Sequence, residues 1–154
     1  MQKLIFLVTF ILLTSSSFAQ SKFPKHVLSL NGFRNPSIGL EYQRSHLSIH
    51  AGYYITNFTS GVTTQFVKTG LSYWFLPVDK KEIPSSFYAG ASFMRGLNQD
   101  YEDKNAIALE TGFRWYVWKG LNLRLGVIVV GAEGQDPKTN PATSISYSFK
   151  FGGK

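Results

Sequence analysis

A His-x-Ser pair and a glutamate are the residue types from which a hydrolytic site could be built. His46 and Ser48 are two positions apart, so in an extended strand their side chains share one face. With Glu110 to orient the histidine, they would supply the nucleophile, the base and the orienting carboxylate of acyl hydrolysis. A His-x-Ser pair also arises often by chance in an alternating strand. We therefore prefer the simpler interpretation, in which these side chains satisfy polar neighbours, and assign no catalytic residue.

The histidines do not predict a metal site either. His46 and His50 share a strand face, but about 3.3 Å per residue separates them by roughly 13 Å, too far to bind one ion. The chain contains no cysteine. The acidic residues between 100 and 103 are interpreted as a solvated loop rather than a calcium site. We expect no metal and no cofactor.

The composition is unlike that of an ordinary soluble domain. Of 154 residues, 16% are charged and 16% aromatic, whereas about 25% charged residues is typical. The 16 Lys and Arg against 9 Asp and Glu give a net charge of +7. The basic residues are scattered singly, which does not favour nucleic-acid binding. The length predicts one domain.

Residues 1–19 are predicted to be a cleaved signal peptide. Lys3 precedes an apolar run over residues 4–13, and Ser17-Phe18-Ala19 forms a small-x-small cleavage site. The alternative is a membrane anchor, but about ten apolar residues are too few to span a bilayer. The Ala-Gln junction is similar to export signals of Bacteroidetes-type bacteria. Residues 20–154 are then the mature domain.

The mature chain alternates between apolar and polar residues with a period of two, which predicts strands. No helix is expected. Eight strands are expected, over residues 26–33, 38–43, 46–55, 67–75, 87–94, 107–117, 121–129 and 144–151. Three of the four connections at one end, residues 57–65, 96–105 and 131–141, are predicted to be long. Two of the three at the other end are predicted to be very short. This asymmetry is typical of outer-membrane barrels.

Two kinds of barrel, which differ in whether the apolar or the polar face points inward, fit this pattern. A soluble lipocalin-like barrel would turn the apolar face inward around a hydrophobic ligand, whereas a membrane barrel turns it outward. Eight strands enclose an interior that side chains only just fill. The polar face carries the small residues that such an interior needs, with glycine in six strands: Gly39, Gly52, Gly70, Gly90, Gly112 and Gly126. It also has too few charges to form a solvated exterior. The sequence favours the membrane barrel.

The inward face would then contain a polar network. Its charged members are Glu41, Lys68, Glu110, Arg114 and Arg124, with Gln43, His46, His50, Asn122 and Lys150 on the same face. Charges in a narrow interior must be paired, so we interpret them as a plug rather than an ion or proton path. The two acids are too few for the bases. Water, backbone carbonyls or an outer loop must complete the network.

Aromatic residues cluster where alternate strands end, at what would be one rim. The predicted girdle consists of Tyr73, Trp74, Phe75, Trp115, Tyr116, Trp118, Tyr147, Phe149 and Phe151. Such rings settle at the membrane–water interface.

With this architecture, the chain resembles the small eight-stranded outer-membrane barrels of the OmpA transmembrane-domain and OmpX type. The resemblance implies a closed antiparallel up-and-down barrel, and barrel-assembly machinery that recognises the aromatic last strand. Here Gly152-Gly153-Lys154 follow Phe151, which departs from the usual aromatic end. Lipid A deacylases of the PagL type also carry a His-x-Ser pair and a Glu, but late in the chain, whereas His46 and Ser48 lie in the third strand.

We therefore expect a non-enzymatic integral protein of the outer membrane of a Gram-negative bacterium. Its outer loops would serve surface contact or envelope integrity. The expected partners are outer-membrane lipid and lipopolysaccharide, the assembly machinery during insertion and an unidentified extracellular ligand, with no nucleic acid. The alternatives are a lipid A-modifying hydrolase and the soluble ligand-binding barrel.

Overall fold

A computed structural model describes residues 23–152 of the chain. The predicted signal peptide, residues 1–19, lies outside the described residues. The predicted all-β architecture is confirmed, and a 3-10 helix over Gln99–Tyr101 is the one short helix among the described residues. The strands are β1 Val27–Phe33, β2 Ile38–Arg44, β3 Leu47–Thr59, β4 Val62–Phe75, β5 Ser86–Gly96, β6 Asn105–Trp118, β7 Leu121–Ala132, β8 Lys138–Pro141 and β9 Ser144–Lys150.

Eight of the nine strands form a ring in which every neighbouring pair is antiparallel. Strands β1 to β7 pair in chain order, β7 pairs with β9, and β9 pairs with β1. Strand β8 pairs with β7 beside β9 and in the same register, since Val127 faces Pro141 and Leu123 faces Ile145. β8 and β9 are therefore two segments of one strand, interrupted at residues 142–143.

This finding corrects the predicted long loop over residues 131–141. Strand β7 continues to Ala132, and its residues 127–130 pair with β8. The backbone groups of β7 need hydrogen-bonding partners where Ile128 and Val130 are buried, and β8 supplies them. Only residues 133–137 remain as a connection.

The two ends of the ring differ from the predicted ends. We call the end with connections 34–37, 60–61, 97–104 and 133–137 the upper end, and the end with connections 45–46, 76–85 and 119–120 the lower end. The predicted long loop over residues 57–65 is wrong. Strands β3 and β4 extend to a two-residue turn in which Gly61 takes a φ of +77°, a conformation that glycine adopts without strain.

The physical reason is cross-strand pairing. Tyr54 faces Phe66 and Thr56 faces Thr64 across the two strands, and aromatic and β-branched pairs stabilise a ladder. The two predicted short lower turns are confirmed, since the connections 45–46 and 119–120 have two residues each. Of the three predicted long upper loops, only the one over residues 96–105 is found, as the connection 97–104, and the longest connection, residues 76–85, lies at the lower end. The predicted excess of long loops at the upper end is therefore not found.

The strands are staggered around the ring. If paired residues are followed from Val27 through the strands in ring order, the path returns to β1 at position 37. The last step extends the register between β9 and β1 across the break at 142–143. The stagger is thus ten residues. A ring of strands closes with such a stagger only if the strands tilt from its axis, typically by about 35–45°.

The polarity of the ring is inverted relative to a soluble domain. Large apolar side chains point outward, and Leu71, Leu109 and Leu125 are 58%, 60% and 60% exposed. Charged side chains point inward, where Glu41 is 1% exposed and Arg114 0%. Strand alternation alone produces this separation, because successive side chains lie on opposite faces.

Candidate functional site

The interior charges form two groups, and the first is centred on Glu110. The Lys68 ammonium donates a hydrogen bond to Glu110 Oε2 at 2.8 Å. The Asn35 side-chain amide donates to the same oxygen at 2.7 Å, and Lys68 also donates to Asn35 Oδ1 at 3.0 Å. All three residues are buried. Lysine and glutamate thus form a buried ion pair whose remaining hydrogen-bonding capacity is partly used by an amide.

Asn35 reaches this pair because the 34–37 connection folds into the ring. The Asn35 backbone N–H donates to the Thr143 carbonyl oxygen at 2.9 Å. Pro36 packs against Gly39 and Gly52, where an added Cβ would lie 2.7 Å and 2.9 Å from the proline ring. These two glycines leave the space that the connection occupies, so an upper connection completes the network.

The second group is centred on Glu41. Its Oε2 lies 2.7 Å from Arg124 Nη1, and its Oε1 lies 3.9 Å from Arg114 Nη1. Arg114 also donates to Gln43 Oε1 at 2.9 Å. One carboxylate therefore sits between two guanidinium groups, and the five charged residues together contain two acids and three bases. Lys150, which the alternation had placed inward, lies at the exposed lower rim and pairs with Glu82.

Aromatic rings compensate for the excess positive charge. The Arg114 guanidinium lies 3.6 Å above the centre of the Trp74 ring and 5.0 Å from that of Tyr116. The Arg124 guanidinium lies 5.0 Å from Trp74 and 5.9 Å from Tyr88. Guanidinium groups are attracted to aromatic faces, most strongly where water is excluded. These rings therefore provide part of the charge compensation that was expected from water or backbone carbonyls.

His50 lies between the two charge groups and is bound by serines. Its Nε2 lies 2.9 Å from Ser92 Oγ, and its Nδ1 lies 3.4 Å from Ser72 Oγ. In register, His50 faces Glu41 on β2 and Gly70 on β4. Its position is that of a structural member of the polar interior.

The three residues of the hydrolase hypothesis are not brought together. Ser48 Oγ accepts a hydrogen bond from the Trp74 indole at 2.9 Å, and His46 Nδ1 bonds to the Trp74 carbonyl oxygen at 2.8 Å. Glu110 is held by Lys68 and Asn35. His46 is exposed at the lower rim rather than inward. Among the described residues, no hydrogen bond links His46 to Ser48 or to Glu110.

An apolar cluster fills the upper part of the interior. It consists of side chains that alternate inward above the charges: Tyr54, Phe66, Met94, Tyr101, Ala106, Ala108, Ile128, Val130 and Ala142. Tyr101 comes from the 97–104 connection, and its ring lies 5.3 Å from that of Phe66. The interior above its charged middle is thus mainly apolar, with Thr56 and Thr64 also buried there.

The lower part is closed by two segments that precede or connect strands. Phe23 packs with Trp74 and Tyr88, and Ile83 packs with Val27 and Tyr116. Ile83 belongs to the 76–85 connection, which Asp79 holds in shape by accepting hydrogen bonds from Lys81 and Ser85, both at 3.2 Å. Partial burial would raise the pKa of the Asp79 carboxyl, but these hydrogen bonds hold it below its usual value.

The predicted aromatic girdle is divided between the two faces. On the outer face near the lower end lie Tyr73, Phe75, Trp115, Trp118, Tyr147, Phe149 and Phe151; all but Phe75 are well exposed. Trp74 and Tyr116 are buried inside. Placing these two in the girdle was wrong, because each alternates with an outward neighbour on its strand.

Sequence reasoning missed four members of the network: Asn35, Trp74, Tyr88 and Tyr116. The alternation places the three aromatic residues inward, and the excess of bases over acids indicated that something must compensate. Attention to inward rings would have found them. No pattern in the sequence marks Asn35, because its role depends on how the connection folds.

Comparison with known proteins adds no relative. Family models, curated proteins and solved structures all fail to match this chain. Within residues 23–152, no helix is long and apolar enough to cross a membrane.

Proposed function

We propose that this chain is an integral outer-membrane β-barrel protein without enzymatic activity. Its interior is plugged, and its upper connections serve surface contact or envelope integrity. One observation carries the proposal: the ring has large apolar side chains around its outside and buried charges inside. Such a surface is stable against lipid and unstable in water. The stagger of ten residues over eight strands fits the tilt of a closed barrel.

Polar groups on the outer face support this proposal. Thr69 and Thr111 lie outward, and their hydroxyls donate to the His50 and Tyr88 carbonyl oxygens at 3.1 Å and 2.9 Å. The half-exposed Tyr53 donates its hydroxyl to Gln65 at 2.6 Å. A hydroxyl facing hydrocarbon needs a partner from the protein itself. These side chains therefore suit a lipid environment.

The test is electrophoresis of the outer-membrane fraction in detergent, with and without boiling. We expect the protein in that fraction and a shift in its migration on heating, because a closed ladder of hydrogen bonds resists detergent until heat breaks it. Recovery as a soluble periplasmic protein that shows no shift would contradict the proposal. If the shift is found, lipid A mass spectrometry with and without the protein distinguishes a lipid A hydrolase from a non-enzymatic protein.

The plugged interior makes a second prediction. Wild-type protein inserted in planar bilayers is expected to give no stable ion-conducting steps, because the Phe66 and Met94 layer and the Phe23 and Ile83 closures leave no continuous polar path. Insertion is monitored in parallel by the heat-dependent shift, so that an absence of conductance caused by failed insertion is not mistaken for a plugged interior. Discrete conductance steps from inserted protein would favour the ion path instead.

The upper end supports a role in surface contact. The 97–104 and 133–137 connections and the β3–β4 turn surround a depression of about 200 Å³. Phe58, Tyr101, Gln99, Asp100 and Lys138 are among its lining residues. An aromatic and mixed polar lining suits recognition of a small polar group. This lining supports the proposed role of the upper end in surface contact.

A further inference from the structure

The two ends of the ring differ in charge. Among the described residues, six basic and two acidic side chains lie at the lower end: Lys25, Arg44, Lys80, Lys81, Lys119 and Lys150, with Asp79 and Glu82. At the upper end lie four basic and five acidic ones: Arg34, Arg95, Lys104 and Lys138, with Asp100, Glu102, Asp103, Glu133 and Asp136. The lower end therefore has a clear surplus of positive charge, and the upper end does not.

Three of the lower lysines line one depression. It has a volume of about 510 Å³ and lies where the 76–85 connection, the 119–120 turn and the end of β9 meet. Lys81, Lys119 and Lys150 line it together with Glu82. Its volume is within the range of sites that bind small molecules, about 300–1,000 Å³.

Two of these lysines have acidic partners. Lys150 donates a hydrogen bond to Glu82. The Lys81 ammonium lies 3.4 Å from Asp79 Oδ2 and donates to the Tyr116 carbonyl oxygen. Both ion pairs are partly exposed, and ion pairs of this kind are weak. They therefore leave both lysines able to contact a further anion in the depression.

The third lysine, Lys119, has no acidic partner among residues 23–152. Its side chain is exposed, and its ammonium lies 5.1 Å from the centre of the Trp118 ring. Its backbone φ is +44°, a conformation that glycine adopts with less strain than lysine. Three bases and two acids thus meet at this depression. One positive charge is left over, and a single phosphodiester would balance it.

The depression lies at the depth of the lower aromatic rings. Phe151 lines it, and a Cβ added to the lining residue Gly120 would lie 3.1 Å from Tyr147 Cε1. Aromatic rings of this kind settle at the membrane–water interface, which is also the level of the lipid phosphates. In the proposed orientation the lower end faces the periplasm. The periplasmic leaflet of an outer membrane consists of phospholipid.

We propose that this depression binds one anionic phospholipid of the periplasmic leaflet, with its phosphate at Lys119 and Lys150 and its acyl chains along the exposed rings of Phe149 and Phe151. Lysine binds phosphate as a point charge, and basic pockets beside a membrane bind anionic headgroups. A cationic depression next to apolar rings matches the two parts of a phospholipid. This inference rests on the proposed membrane location and orientation.

The experiment uses the full mature protein in nanodiscs of equal phosphatidylglycerol and phosphatidylcholine. After mild detergent extraction, native mass spectrometry identifies the lipids retained. We expect one retained phosphatidylglycerol, with occupancy reduced about fivefold by Lys119→Gly. This variant also relieves the positive φ, so we expect it to fold at least as well as the wild type. Lys119→Gln should reduce the occupancy similarly, because it removes the same charge.

The matched control is Lys80→Gln, which removes an exposed lysine of the same end that does not line the depression. It should retain the lipid. A loss of lipid as large as that of Lys119→Gly would show a diffuse attraction to a positive surface and overturn the site. Equal retention of the two lipids, with no effect of Lys119→Gly, would overturn it as well.

The remaining outcomes identify another occupant or a wrong location. Inorganic phosphate retained in micelles free of phospholipid, with no phosphatidylglycerol retained from nanodiscs, would indicate a site for free phosphate. Lipid retained by a variant that ends at Gly152, but not by the full mature protein, would show that the last two residues occupy the depression instead. Failure to enter nanodiscs, with no heat-dependent shift, would overturn the membrane location and the lipid site together. Each variant is checked for the shift before its lipids are analysed.

Discussion

Leu125→Arg is expected to prevent stable insertion of the protein into membranes. Leu125 lies in the middle part of β7, is 60% exposed and points away from the interior. An arginine facing lipid near the bilayer midplane of a barrel costs about 2–4 kcal/mol. The free energy of unfolding, measured by urea titration of tryptophan fluorescence in phospholipid vesicles, should fall by that amount, and the folded, heat-shifting fraction should fall with it.

The matched control introduces the same side chain where water is expected. Ser60 is exposed in the turn between β3 and β4, and Ser60→Arg should change the free energy of unfolding by less than about 0.5 kcal/mol. A soluble ring predicts that Leu125→Arg changes the free energy of unfolding as little as Ser60→Arg does, since both side chains would then be exposed to water. Equal behaviour of the two variants would therefore exclude a lipid-facing β7.

Lys68→Met is expected to destabilise the fold by about 3–5 kcal/mol, because it leaves the Glu110 carboxylate buried without its cation. The pair is close, with 2.8 Å between Lys68 Nζ and Glu110 Oε2, and both side chains are buried. Only the hydrogen bond from Asn35 would remain to the carboxylate. The measurement is the free energy of unfolding by urea in detergent micelles.

Two comparisons separate charge burial from loss of a contact. Arg95 pairs with Asp103 at 3.0 Å at an exposed site, so Arg95→Met should cost less than about 1 kcal/mol. The double variant Lys68→Met with Glu110→Leu should recover most of the stability, because no charge is left unpaired. If Lys68→Met costs no more than Arg95→Met, water reaches Glu110 and the interior is not a dry plug.

The sequence predicted the fold class well because alternation is a local property. A period of two assigns every residue of a strand to one of two faces without knowledge of its neighbours. Alternation alone places Glu41, Lys68, Glu110, Arg114 and Arg124 on one face, and the small residues of that face indicated that it points inward. The same rule, applied consistently, would have removed Trp74 and Tyr116 from the outer girdle.

Strand ends and connections were predicted poorly because they depend on pairing. The polar residues of the predicted 57–65 loop become strand once Thr56 faces Thr64. Residues 138–141 become strand because β7 offers unpaired backbone groups. Turn residues and polarity indicate where a strand can end, but the partner strand decides where it does end.

The sequence by itself determined that this chain forms strands with an apolar and a polar face, since side-chain alternation requires no tertiary contact. The tertiary structure alone decided which charges meet, how Asn35 and the aromatic rings complete their network, and that β1 and β2 are much shorter than β3 and β4. Those features arise from the register between strands and from the path of a connection. Both are set by contacts between residues far apart in the chain, which local periodicity does not contain.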